Sequence, residues 1–343
     1  MEKTYQQFNW DICGHEPIVN FLQSAIISER VAHAYLFVGP AGLGKFSVAK
    51  EFIKSLFCSQ SGEISPCGKC HHCRQLKNGV HPDVYVVEKQ VNEKTGKLKR
   101  EIVIDQIRDL KSRLQQATLL NSYKVAIISE AQFINTEAAN AILKILEEPT
   151  PKTVIILIAD DADELPSTVA SRCQVLKFLP VAKKEIEKYL GRSGVSMEET
   201  KKLSAMAVGR PGLALSFWQD NEKQIKYNKQ TIDFLNLSIS PLSKRFSFVA
   251  DLIDWDKDDG VNIGSLKEMF SVWRSMLRDC LLFQSDSRQL MANMSSVIGI
   301  EKNQSVFSYF KIKKNLEAIN SAEAYFDRNI SAKNVLENLI IKL

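Results

Sequence analysis

The sequence predicts an α/β fold built on a parallel sheet, followed by an all-helical C-terminal part. Three observations carry this. Short, nearly continuous apolar runs stand at Ala34–Val38, Val84–Val87, Val125–Ile128 and Val154–Ile158, as expected of strands buried on both faces. Helix-period segments separate these runs, which is the alternation of a parallel sheet with crossover helices. After Pro180 strand-like runs vanish, and helical patterning continues to Leu343.

Taken in order, residues 1 to about 35 read as a short linker and a helix, with Ile18, Leu22, Ala25 and Ile26 on one face. Ala34–Val38 then runs into Gly39-Pro40, a strand ending in a glycine-rich turn. Val48, Phe52 and Leu56 follow at steps of four, as in a helix opening at that turn. Further helices are expected near Ile104–Gln116 and Thr136–Glu148. Asn135 caps the second, Glu137 suits its first turn and Pro149 stops it. In the helical half, Gly209-Arg210-Pro211-Gly212 breaks one stretch, Ser238–Ser243 reads as a connector, and Asp254–Gly264 as a polar, acidic loop.

Composition sets the class. The chain has 343 residues, 45% hydrophobic and 25% charged, as in an ordinary globular protein and unlike a disordered or collagen-like one. The longest apolar run, Val154–Ala159, is too short to span a bilayer. Met1–Gln6 lacks the apolar segment of a secretory signal, so the cytoplasm is the expected compartment. A net charge of +5, from 45 basic and 40 acidic residues, permits contact with nucleic acid without demanding it.

Gly39-Pro40-Ala41-Gly42-Leu43-Gly44-Lys45 fits G-x-x-x-x-G-K between a strand and a helix. Gly39, Gly42 and Gly44 let backbone N–H groups close around phosphate oxygens, and Lys45 reaches the β and γ phosphates. The next position should carry a hydroxyl for Mg²⁺, but it is Phe46. Ser47 comes one place late, rotated by about 100° on the helix. The acidic strand end that completes such a site should put Asp after Val125–Ile128; here Ser129-Glu130 follows. Both metal-holding positions are therefore missing, which argues against hydrolysis and leaves nucleotide binding open. A plain turn is the bland alternative.

Cys58, Cys67, Cys70 and Cys73 give C-x8-C-x2-C-x2-C. In a reducing compartment, four clustered thiols read as a structural Zn²⁺ site stapling an insertion with little core of its own. Free core thiols and an iron–sulfur cluster are the alternatives, and the polar run Ser61–His72 argues against a core. Arg172, in Ser171-Arg172-Cys173, could reach a neighbour's phosphates, although by itself it reads as a solvated surface arginine. Cys173 reads as packed rather than reactive, and His15 and His33 as single and unpartnered. Lys94–Arg100 is a basic, turn-like tip. No Ser/His/Asp or Cys/His catalytic set emerges.

Taken together, these segments resemble one family. His33–Pro40, the four-cysteine module, Ile104–Leu110, Tyr123–Val125, Ala138–Pro149 and Ser171–Gln174 occur in the order found in bacterial clamp-loader subunits of the AAA+ class. The resemblance is strong to about residue 215 and weak beyond, apart from Asn329, Asn334 and Leu336–Leu339. It implies an AAA+ P-loop α/β domain over 1–180 with the zinc insertion at about 58–73. A small helical lid over 181–224, with Gly209–Gly212 at its sensor 2 region, and an all-α collar over 225–343 would follow.

The ATP-hydrolysing gamma/tau kind needs Ser or Thr after Lys45 and Asp at position 129; Phe46 and Ser129 point instead to the kind with a degenerate site. The resemblance then implies no independent enzyme activity, and a place in a DNA-directed DNA polymerase holoenzyme. ATP would be held by a neighbouring subunit and completed by Arg172 acting in trans. The implied partners are gamma/tau and delta in a hetero-oligomeric ring, the sliding clamp, and primer-template DNA. Two other readings stay open at this point: an active ATPase subunit, and a zinc-containing DNA-binding module.

Overall fold

The computed structural model describes residues 7–59, 64–91, 96, 99–116, 123–254, 263–293, 296–303, 306–328 and 330–343. Of the segments singled out above, Met1–Gln6, Asn329, most of Lys94–Leu98, part of Ser61–His72 and most of the acidic loop lie outside the described residues. The chain divides into two compact units: residues 1–192 with 209–213, and residues 193–208 with 214–343.

The first unit runs β1 (Gln7–Phe8), α1 (Glu16–Ile27), β2 (Ala34–Val38), α2 (Lys45–Phe57), β3 (Ile64–Ser65), α3 (His71–Lys77) and β4 (Val84–Val87). It continues with α4 (Ile104–Gln115), β5 (Lys124–Ile128), α5 (Thr136–Glu147), β6 (Thr153–Ala159), α6 (Ser167–Ala170), β7 (Gln174–Lys177) and α7 (Lys183–Arg192). The main sheet has the order β4-β5-β6-β2-β7, all parallel. This is the parallel sheet expected from the sequence, with the strand that feeds the glycine-rich turn lying between β6 and β7.

Pattern explains the layers. β2, β5 and β6 are buried along their whole length, so their sequences carry apolar residues at consecutive positions. Successive side chains point to opposite faces. Ala34, Leu36 and Val38 join the core under α4 and α5, while Tyr35 and Phe37 join the core under α1 and α2. Lys124 is the charged exception, and its ammonium is satisfied by the carbonyls of Leu114 and Gln116. At α5 the Asn135 carboxamide oxygen accepts the Ala138 N–H at 2.9 Å, so the expected cap is present. Strand β7 gave no apolar run because only Leu176 of its four residues is buried.

The second unit is helical. Its helices are α8 (Met197–Ala207), α9 (Pro211–Gln219, whose first turn belongs to the first unit), α10 (Asn221–Ile239), α11 (Leu242–Asp254), α12 (Ile263–Gln284), α13 (Val297–Lys302), α14 (Tyr309–Asp327) and α15 (Ala332–Lys342). Among the described residues no strand follows Lys177. Trp273, Phe234, Phe270 and Phe307 centre its core. The buried Asp279 carboxylate accepts the backbone N–H groups of Ala292 and Asn293 at 3.0 and 2.7 Å, pinning the connection after α12.

Candidate functional site

The glycine-rich turn sits where an open parallel sheet offers a site, at the C-terminal ends of β2 and β6. Val38 pairs with Ala159, so Gly39 and Asp160 leave the sheet side by side, and the Gly39 N–H donates to the Asp160 carbonyl at 3.1 Å. Gly42 and Gly44 have φ of +84° and +94°, which side chains rarely tolerate. This backbone curl and the start of α2 at Lys45 have the geometry of a backbone nest.

The interior of the nest departs from a working ATP site. Lys45 is 7% exposed; its ammonium donates to the Gly39 carbonyl and lies 3.0 Å from the Asp160 carboxylate. The cation that the motif would offer a phosphate thus already has an anionic partner. Phe46 lines a cavity of about 80 Å³ with Ile53, Leu76, His81, Val84 and Ile127, and Lys50 lies 4.8 Å from its ring centroid. A phenyl ring has no oxygen to offer Mg²⁺. At the end of β5, Glu130 stands at φ +53° and pairs with Lys89 at 3.2 Å. The loop is also tied from outside. The Gly212 N–H donates to the Gly42 carbonyl at 2.8 Å, and His15 Nε2 meets the Leu43 carbonyl at 2.8 Å. His15, read from the sequence as unpartnered, is therefore a strut of this loop. Burial lowers its pKa, which favours the neutral ring. Its only sequence signal was the neighbouring Gly14.

Arg172 lies just beyond α6. Its guanidinium donates to the Thr168 carbonyl at 2.9 Å and pairs with the Glu147 carboxylate, at the end of α5, at 2.7 Å. At 37% exposure it is held in direction while remaining reachable from solvent. Cys173 beside it is pushed up to about 12 by burial, so it is a packed thiol.

The four cysteines converge. Their sulfurs all lie within 4.8 Å of one another, with Cys67 Sγ and Cys73 Sγ at 3.9 Å. Tetrahedral zinc with bonds of about 2.3 Å spaces its sulfurs about 3.8 Å apart, so the set fits such an ion. Backbone N–H groups point at the sulfurs: Cys67 N to Cys58, Cys70 N to Cys67 and Cys73 N to Cys70, at 3.3–3.4 Å. Burial alone would raise Cys70, but hydrogen bonds from the Cys73 and Ser59 backbones outweigh it and bring the thiol down to about 6. Cys67 is lowered by the Cys70 N–H, while burial raises Cys73. The donor set is that of a closed structural site with no open position for chemistry. Next to it, His72 Nδ1 lies 3.0 Å from His81 Nε2.

Comparison with known proteins adds ancestry to this geometry. A family model described as DNA polymerase III, delta subunit, matches residues 14–182. The DNA polymerase III subunit delta' of Pseudomonas aeruginosa is 34% identical over 233 residues, covering 65% of this chain and 69% of that protein. The subunit delta' of Bacillus subtilis is 35% identical over 189 residues, 55% of each chain. The subunit tau of Bacillus subtilis is 35% identical over 176 residues, 51% of this chain and 30% of that one. The chain thus spans between under a third and about two thirds of the length of these relatives.

Proposed function

Given that the chain belongs to the DNA polymerase III delta' family of clamp-loader subunits, we propose that it is a loader subunit that hydrolyses no ATP itself and completes a neighbour's ATP site with Arg172. One pairing of features carries this reading: a glycine-rich loop with Phe46 and Ser129 at both metal-holding positions, together with an arginine elsewhere in the same unit that is oriented yet exposed. Lys45 of the loop and Glu130 after β5 are engaged by Asp160 and Lys89. Arg172 has no phosphate of its own chain to serve. A guanidinium is always charged and presents paired planar donors, which suits the charge growing on γ-phosphate oxygens.

In this reading gamma/tau holds the ATP, delta is a further ring subunit, and the complex opens the sliding clamp and sets it on primer-template DNA. Residues 181–224 serve as the lid and 225–343 as the collar. The cysteine module binds zinc as a structural staple. The likeness to tau favours a second reading, an ATP-hydrolysing subunit. Steady-state ATPase measurement separates the two. The first reading expects background turnover from the chain alone, and reduced turnover of the reconstituted loader with Arg172→Ala. Turnover by the chain alone would favour the second.

A further inference from the structure

The most exposed aromatic rings among the described residues are neighbours: Tyr309, 71% exposed, and Phe310, 65% exposed, the first two residues of α14. Two exposed rings side by side are costly to leave in water and need an explanation beyond the scatter of single apolar residues on any surface. On the buried side of the same turns, Ile312 and Asn315 are inside. The outer side is basic. Lys311, Lys313 and Lys314 follow, with no acidic residue before Glu317. Lys314 Nζ stands 4.6 Å from the Phe310 ring centroid. Lys313 approaches Glu317 only at 4.0 Å, a weak, exposed pair. Arg245 adds positive potential near Lys311 while donating to the Ser240 and Ile340 carbonyls.

We infer that this aromatic and basic face of α14 is a contact surface for single-stranded DNA. Unpaired bases offer flat faces for Tyr309 and Phe310, and the backbone phosphates match the lysines. A duplex would keep its bases stacked away from the rings. A protein partner would suit the rings but not the lysines, because interface cores are depleted in Lys. Family membership decides only the choice of DNA over RNA; the inference is independent of Arg172 and of the phosphate loop.

The test is fluorescence anisotropy of labelled oligothymidylate with the full chain across a salt series. Tyr309→Ala/Phe310→Ala should weaken binding about tenfold or more. Lys313→Gln/Lys314→Gln should flatten the slope of log affinity against log salt by about 1.4. Both pairs are exposed, so unchanged thermal melting is expected to accompany each loss. Wild-type affinity and salt slope in both double variants, or no binding by the native chain at low salt, would overturn the inference. So would an aromatic variant that binds DNA normally but no longer co-purifies with the other loader subunits, since the face would then belong to a protein. Equal binding of oligouridylate would overturn the commitment to DNA. Arg172→Ala should leave this binding untouched, which separates a failure here from a failure of the proposed function.

Discussion

The Lys45 ammonium lies 3.0 Å from the Asp160 carboxylate, and both residues bond to Gly39, the residue that opens the phosphate loop. An incoming triphosphate would meet a cation already neutralised and a negative charge beside it. At about 4 Å, a unit charge pair is worth about 1 kcal/mol in water and about 4 kcal/mol near a protein surface. Asp160 is half exposed, which puts the pair toward the lower figure, so Asp160→Asn should tighten nucleotide binding by about fivefold or more, read with a fluorescent ATP analogue. Hydrolysis should stay at background, because Phe46 and Ser129 still hold no metal. Unchanged affinity in Asp160→Asn would show that the ion pair does not govern the site.

Lys45→Ala tests the same loop by loss. A loop that serves only to anchor its surroundings loses one internal ion pair, whose Asp160 carboxylate can turn to water, so reconstituted clamp loading should fall less than about twofold. Abolished loading would assign the loop a working nucleotide.

Arg172→Ala should leave folding and assembly intact and lower the clamp- and DNA-stimulated ATP turnover of the complex. Arginine fingers supply about 10³ to 10⁵ in rate at the site they serve. Only the ATP site facing this chain should suffer, so the loss in total turnover is partial. Arg172→Lys should rescue poorly, lacking the paired donors. Glu147→Gln keeps the shape but drops the charge that directs the guanidinium, and should give an intermediate loss. Native turnover in Arg172→Ala would return this residue to the solvated surface.

Metal analysis of the purified chain should find one zinc per molecule. Cys70→Ser should release it and lower the melting temperature by about 4–8 °C for each 2 kcal/mol lost, while leaving the main sheet folded. A metal-free native chain of full stability would remove the site.

His81 is buried, and burial first, then the neighbouring His72, lowers its pKa from 6.5 to about 4. Between those values the unfolded chain binds the proton and the folded chain does not. Stability is thus present above about pH 6.5 and is lost as pH falls, by about 2 kcal/mol at pH 5. Urea unfolding at pH 7 and pH 5 should show this loss, and His81→Gln should reduce the difference. An equal pH dependence in the variant would place the titration elsewhere.

The sheet was legible because β2, β5 and β6 are buried on both faces and so write themselves as apolar runs. Strand β7, with only Leu176 inside, left no such mark. The chemistry was legible where spacing alone brings groups together, as in Gly39–Lys45 and the four cysteines. Pairings across the sheet were not. Lys45 and Asp160 are separated by 115 positions and meet only through the β2–β6 register. His15 reaches Leu43 through the packing of α1 against α2, and Glu147 faces Arg172 because α5 and α6 adjoin.

Strand β6 gives the proposed finger its mechanical character. Its seven residues are all buried, the strand pairs with β5 on one side and β2 on the other, and the chain passes from its end at Ala159 to Arg172 in thirteen positions. A strand clamped in this way does not bend, and Glu147 fixes the guanidinium to the neighbouring helix. Arg172 is therefore part of a stiff plate rather than the tip of a swinging loop. Its arrival at a foreign phosphate would be timed by the tilt of that whole plate, so that catalysis in the ring reports on how the subunits are stacked.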